Sequence, residues 1–272
     1  MWLGKTILFR EFWKSKALQP LFRRLHYWSL FALNCGGGGD LWTSGEVWLL
    51  REFITGRIAG KSPPVIFDVG ANTGEYSQVV KQYLPQSELY SFEPCEPTAS
   101  TFEERTANLS GVSFHRLGFS DTDGAATIYS YDLEGESAPV LASLEMRRPT
   151  QHGHIEVAAA TEIKISTIDS FCAQYEVDRI DLLKLDIEGH ELKALQGARR
   201  FLDERRIDVI QFEFGPANLY SRTNFFDFWE MLSPGYDIFR LLPAGIEAIP
   251  YYEEQLEIYL TTNYIAIRKT EV

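Results

Sequence analysis

Apolar positions along this chain recur in two alternating rhythms. Runs of roughly five apolar residues, the length of a buried strand, are separated by stretches in which apolar residues return every three or four positions, as on one helix face. Val65 to Val69 reads as a strand, Glu75 to Tyr83 as a helix, Glu88 to Phe92 as a strand, Pro97 to Asn108 as a helix and Val112 to Leu117 as a strand. The rhythm resumes with Asp181 to Asp186 as a strand, Glu191 to Leu202 as a helix and Asp208 to Phe214 as a strand, before a closing pair, Tyr236 to Leu242 and Tyr259 to Arg268. Strands separated by helices of this length predict an α/β fold with a mostly parallel sheet wrapped on both faces. One more helical pattern, from about Leu41 to Ile58 and ending near Gly60, precedes the first strand.

Two segments depart from this rhythm. Within 124 to 168, Ala126 to Tyr131 and Glu162 to Ile165 alternate like an antiparallel pair. The polar stretch 133 to 160, with Gly135, Pro139, Pro149 and Gly153, reads as a mobile segment near the active-site mouth, since long loops are functional or disordered. At the other end, residues 1 to 30 mix basic residues with Trp2, Ile7, Phe9, Trp13, Leu18, Leu21, Leu25 and Trp28 at amphipathic spacing. Such a helix lies on an anionic bilayer, or packs its apolar face on the catalytic domain or on a second subunit of a homodimer; the sequence leaves these open. The run Gly36-Gly37-Gly38-Gly39 reads as a flexible joint. The expected organisation is an N-terminal helical extension, 1–60, and a catalytic domain, 61–272, with an insertion at about 124–166.

Charge sharpens this division. The net charge of −12 argues against a general nucleic-acid binder, because phosphate backbones are held by dense Lys/Arg surfaces. Residues 1 to 34 carry six basic side chains against Glu11 alone, a net +5 that leaves −17 for the remainder. No apolar stretch reaches the roughly 18 to 20 residues of a membrane span, and Arg or Lys interrupts every apolar run before Tyr27, unlike a signal peptide. Cys35, Cys95 and Cys172 are odd in number and widely spaced, which suits thiols in a reducing cytoplasm better than a disulfide or zinc scaffold. The expected location is therefore cytoplasmic, with peripheral contact at the inner face of a membrane left open by the N-terminal segment.

Chemistry gathers at the strand ends. Strand 65–69 runs into Asp68-Val69-Gly70-Ala71-Asn72-Thr73-Gly74, a glycine turn ahead of a helix N-terminus, where backbone approaches a bound ligand closely. Its Gly-x-x-x-Gly spacing departs from the pyrophosphate cradle of nicotinamide enzymes. The next strand ends at Glu93-Pro94. A carboxylate at that edge accepts both hydroxyls of a ribose, although an acid ahead of Pro97 also suits a helix start. Gly118-Phe119-Ser120-Asp121 follows the third strand, where Ser120 or Asp121 would bond an adenine and Phe119 stack on it, unless the pair merely forms a turn. The strand 181–186 then delivers Asp186, Glu188 and His190 into one short turn, a grouping of titratable residues that packing explains poorly.

Together, Asp68-Val69-Gly70-Ala71-Asn72-Thr73-Gly74, Phe92-Glu93-Pro94, Ser120-Asp121, Thr167-Ile168-Asp169-Ser170-Phe171 and Lys184-Leu185-Asp186-Ile187-Glu188-Gly189-His190-Glu191 resemble the FkbM family of methyltransferases. The likeness runs from about Val65 to Phe214. It implies a Rossmann-like class I methyltransferase fold with an antiparallel C-terminal strand, S-adenosylmethionine as donor, and acceptors that are commonly hydroxyl- or carboxylate-bearing sugars and natural products. It also implies the glycine loop at the methionine end, Glu93 at the ribose, and Ser120 with Asp121 beside the adenine.

The expected reaction is O-methylation of a small-molecule or glycan acceptor hydroxyl, which needs a base within hydrogen-bond reach. His190 is the expected base, with Glu188 or Asp186 orienting it or shaping the acceptor site; alternatively Asp186 touches the cofactor's amino group and His190 caps the following helix. Glu213 is a second candidate base. No dense ligand cluster demands a metal, although a divalent ion bridging Asp186 and Glu213 stays open. The rival readings are a nicotinamide-dependent oxidoreductase and a non-catalytic partner-binding protein on the same fold.

Overall fold

The protein is described by a computed structural model covering residues 13–58, 63–132, 141–145 and 156–270. Its main sheet has eight strands: β1 (Val65–Val69), β2 (Glu88–Phe92), β3 (Val112–His115), β8 (Ile180–Leu185), β9 (Ile207–Phe214), β10 (Tyr236–Leu242), β11 (Gly245–Ile249) and β12 (Thr262–Arg268). They lie in the order β11-β10-β12-β9-β8-β1-β2-β3. The five strands from β9 to β3 run parallel, and β12 inserts antiparallel between β9 and β10. All five residues of β1 and all six of β8 are buried, as expected for central strands covered on both faces.

Alternation splits those side chains between two cores. Val65, Phe67 and Val69 pack with Phe92, Phe119, Phe171, Leu183 and Phe212. Ile66, Leu182, Val209 and Ile265 face the other way, onto Leu49, Leu50 and Ile54. These last three lie on helix α2, residues 46–57, which is α-helical at Glu46–Trp48 and Thr55–Arg57 with a π-helical turn, Leu49–Ile54, between. The helical pattern at 41–58 is thus the N-terminal cover of the sheet. Ahead of it, helix α1 (Gln19–Ala32) holds the described part of the basic segment; residues 1–12 lie outside the described residues.

Helices α3 (Glu75–Tyr83), α4 (Glu96–Thr106) and α5 (Ile168–Gln174) follow β1, the β2 turn and the insertion. The single helix expected over 191–202 is two, α6 (Glu191–Gln196) and α7 (Arg199–Asp203). A side chain at Gly197 would put its Cβ 2.1 Å from the Ser120 carbonyl oxygen, and the Gly197 carbonyl accepts the Asp169 amide instead of continuing the helix. Asp169 then accepts from the Arg200 and Phe201 amides at the start of α7. The chain continues through α8 (Asn218–Ser221) and α9 (Phe225–Leu232); neither α9 nor β11 was expected from the apolar pattern.

The insertion joins β4 (Gly118–Phe119), which precedes it, in a second, four-stranded sheet with β5 (Gly124–Asp132), β6 (Leu141–Ser143) and β7 (Glu156–Ser166), in the order β4-β7-β5-β6. Strands β5 and β7 are antiparallel, as their alternation predicts. The polar stretch expected to be mobile is partly strand, at 141–143 and from 156 onward; 133–140 and 146–155 lie outside the described residues. The glycine run is not a free joint. Gly36 and Gly38 both donate to the Thr261 carbonyl, and a Cβ on Gly38 would approach that oxygen to 2.9 Å.

Candidate active site

The carboxyl ends of β1, β2, β8 and β9 open onto one cavity of about 410 Å³, within the range of small-molecule sites. Its floor is the loop after β1. Gly70 has φ +80°, and a Cβ there would stand 1.8 Å from the Asp186 carbonyl oxygen, so only glycine lets the β1 and β8 loops meet. The Gly70 and Ala71 amides donate to the Phe92 carbonyl, tying the same loop to the end of β2.

Glu93 is buried in the cavity wall with its carboxylate already oriented: one oxygen accepts from the Asn72 amide at 3.1 Å, the other from the Cys95 amide at 2.8 Å. Burial raises its pKa above the usual range, against those amides, Thr98 and Lys184, which favour the charged form. With the Thr98 hydroxyl also beside it, the carboxylate keeps a lone pair for an incoming hydroxyl.

Among the described residues lining the cavity, six are acids (Glu46, Glu75, Glu93, Asp186, Glu188 and Glu213) and one is a cation, Lys184. Lys184 Nζ lies 3.1 Å from Asp68 Oδ1, 3.3 Å from the Gly70 carbonyl and 3.5 Å from Asp186 Oδ2. Burial opposes its charge, but Asp68, Asp186 and Glu46 outweigh burial and raise its pKa. Glu46 accepts from the Gln211 amide at 2.6 Å and the Ser44 hydroxyl at 2.9 Å; burial pushes it up to about 7, with Lys184 pulling the other way. Glu213 stands well above the carboxylate range, first through burial and then through Asp186, Glu188, Glu191 and Glu46.

Much of the remaining lining is apolar. Phe92, Leu117 and Phe119 come from the main core, and Ile128, Ala142, Leu144 and Ile163 from the insertion sheet. The rim includes Gly38, Gly39 and Leu41 from the segment ahead of α2. Beside Leu41, exposed Trp42 is held by its indole N–H, which donates to Glu75 Oε1 at 2.9 Å.

The cavity therefore brings together Gly70, Asn72, Glu93, Phe119, Asp186 and Glu188 from the residues singled out in the sequence, with Glu213 from the next strand. Asp68, Gly74, Ser120, Asp121 and His190 lie outside its lining. Asp68 lies under the loop, bonded to Lys184 and to the Ser77 hydroxyl. Gly74 (φ +88°) packs against Phe102 and Thr106. Ser120, Asp121 and His190 form a chain outside the lining: the Ser120 hydroxyl donates to Asp121 at 2.9 Å and sits 3.0 Å from His190 Nε2. Burial drops His190 to about 4, aided by Lys193 and opposed by Asp121, so the ring is neutral. Its side chain makes no capping bond to α6. That turn is held by Glu191, which accepts from the Ile187 and Gly189 amides.

Two lining residues, Lys184 and Glu46, and Trp42 beside the lining residue Leu41 were given no role by sequence reasoning. Lys184 had a signal, a lysine inside an apolar strand; Glu46 and Trp42 had none, because their positions depend on how the N-terminal segment packs. Among the described residues no group of three or more His, Cys, Asp or Glu is arranged to hold a metal, the three cysteines are free and buried, and no helix is long and apolar enough to cross a membrane.

Comparison with known proteins adds a family. The profile of the Methyltransferase FkbM domain matches residues 68–238. The 2-O-methyltransferase NoeI of Sinorhizobium fredii is 24% identical over 69% of this chain and 78% of its own length. Methyltransferase 1 of Beauveria bassiana is 28% identical over 53% of this chain and 61% of its own, and the hexuronic acid methyltransferase AglP of Haloferax volcanii 25% over 62% and 67%.

Proposed function

Because the chain belongs to the FkbM family of methyltransferases, whose methyl donor is S-adenosylmethionine, we propose that it methylates a hydroxyl oxygen on a neutral sugar or glycan. The observation that carries this reading is a single cavity at the strand ends whose described lining combines six acids with a set of apolar side chains. The donor fits that combination. Glu93, with both oxygens aligned by backbone amides, would hold the ribose; Gly70 and Asn72 would take the methionine end beside Asp186; Leu117, Phe119 and Ile163 would enclose the base. S-adenosylmethionine supplies a methyl group on a positively charged sulfur.

The chain's own task is to align the acceptor, exclude water and take one proton. Glu213 is assigned that proton. Glu213 lines the cavity, and burial first and its like-charged neighbours next raise its affinity for a proton. Asp186, anchored by Lys184, and Glu188 position the acceptor hydroxyl. His190 is a positioning residue in this reading, since it is neutral and bonded to Ser120 outside the lining.

The acid excess also bears on the acceptor. A free carboxylate would find Lys184 as the one cation of the described lining, already engaged by Asp68 and Asp186, so the proposed acceptor is closer to that named for NoeI, a 2-O position, than to the hexuronic acid named for AglP. Trp42 offers an exposed aromatic face at the rim, suited to the apolar face of a sugar ring. Incubation with labelled donor and paired neutral and uronic-acid glycans tests this. Label on neutral hydroxyls is expected; label confined to carboxylates as methyl esters overturns it.

A further inference from the structure

Helix α1 is almost wholly exposed, and its one buried residue is Leu30. Leu21, Leu25, Trp28 and Ala32 recur at i, i+4, i+7 and i+11 and form one stripe along it. Leu30 stands nine positions after Leu21, about two and a half turns, so the attached side is opposite the stripe. Leu21 is 48% exposed, Leu25 51%, Trp28 70% and the flanking Phe31 79%. The helix thus presents its apolar face away from the domain.

Charge states what that face would meet. From Trp13 to Gly39 there is no acid, while Lys14, Lys16, Arg23 and Arg24 are all exposed, on a chain whose residues beyond 34 total −17. Arg24 precedes Trp28 by one turn, beside the stripe. An aromatic and leucine stripe edged by Arg24 and preceded by Lys14 and Lys16, attached to an acidic body, matches an anionic lipid surface: rings and leucines enter the headgroup boundary, the cations meet phosphates, and the acidic body is repelled outward. A second copy would bring a like-charged helix against this one. We therefore propose that α1 docks the protein on an anionic lipid surface, with Leu21, Leu25, Trp28 and Phe31 inserted. Seven residues separate Leu30 from Gly38, so docking holds that part of the cavity lining near the surface.

The test is co-sedimentation of the full chain with vesicles of phosphatidylcholine alone and of equal parts phosphatidylcholine and phosphatidylserine, with light scattering of the free protein. The wild type is expected to sediment with the anionic vesicles and to release in high salt. Leu21→Glu/Trp28→Glu should abolish sedimentation while leaving donor binding unchanged, and Arg24→Gln should weaken it roughly fivefold. Equal sedimentation of wild type and double variant, no sedimentation of the wild type, or a dimer that the double variant dissolves would each overturn the proposal.

Discussion

Asp68 and Lys184 stand opposite one another across the β1–β8 pair, with the ammonium 3.1 Å from Asp68 Oδ1 and both side chains buried. The same ammonium reaches the Gly70 carbonyl and Asp186, so one buried ion pair fixes the two loops that form the cavity floor. Asp68 is held from behind by the Ser77 hydroxyl at 2.7 Å, and Ser77 lies 2.8 Å from Ser91 Oγ on β2. The aspartate therefore acts through the lysine and not by lining the cavity.

Lys184→Met should unfold more easily than the wild type by about 3–5 kcal/mol, because it strands a buried carboxylate. In a chain of this size that is a fall of roughly 2–4 °C in Tm per kcal/mol. Thermal melts check it, and Asp68→Asn/Lys184→Met should recover part of the loss. A single variant as stable as the wild type contradicts the account.

Glu191 makes stability depend on pH. Burial raises its pKa from about 4.5 to about 7, so between those values the folded chain keeps a proton the unfolded chain has released. Its stabilisation is whole below about pH 4.5 and is lost as pH rises through 7. Glu191→Gln keeps an oxygen for the Ile187 and Gly189 amides and removes the charge. It should be more stable than the wild type at pH 8 by up to about 3 kcal/mol, and equal to it near pH 4.5. Some slope should persist, because Glu46 titrates in the same direction.

These groups mark how far the sequence could be read. Strands β1, β8 and β9 were legible because both faces are buried, which forces near-continuous apolar runs. Strand β11 was not: it is a sheet edge with Glu247 and Ala248 exposed, so no such run is required. The break at Gly197 was hidden because its cause is the backbone of Ser120, distant in sequence. Glu93, Asp186 and Glu188 were legible as strand-end acids. His190 was read as a cavity residue from its place in the same turn, but sequence proximity does not give side-chain direction, and beyond Glu188 (φ +57°) and Gly189 (φ +97°) the chain turns and buries the imidazole beside Ser120.

That burial separates two candidate bases. Glu213→Gln should lower kcat by at least roughly 100-fold with donor affinity retained. His190→Gln should leave kcat within roughly tenfold, with any loss appearing as weaker donor binding through Ser120 and Asp121. Single-turnover assays with titration of the donor check both; the reverse pattern restores His190 as the base.

Trp42 is 58% exposed, so its removal costs little stability. Trp42→Ala should raise KM for a glycan acceptor roughly tenfold with kcat unchanged, measured by initial rates at saturating donor. An unchanged KM removes the rim from acceptor recognition.

The most direct measurement of the central claim, that this cavity binds S-adenosylmethionine with Glu93 at its ribose, is calorimetric titration with the donor and its demethylated product. The wild type is predicted to bind in roughly the micromolar range. Glu93→Ala, and Glu93→Gln as the milder control, should lose at least roughly 100-fold and roughly tenfold while remaining folded by circular dichroism. No binding to the folded wild type, or equal affinity in all three proteins, would contradict the account.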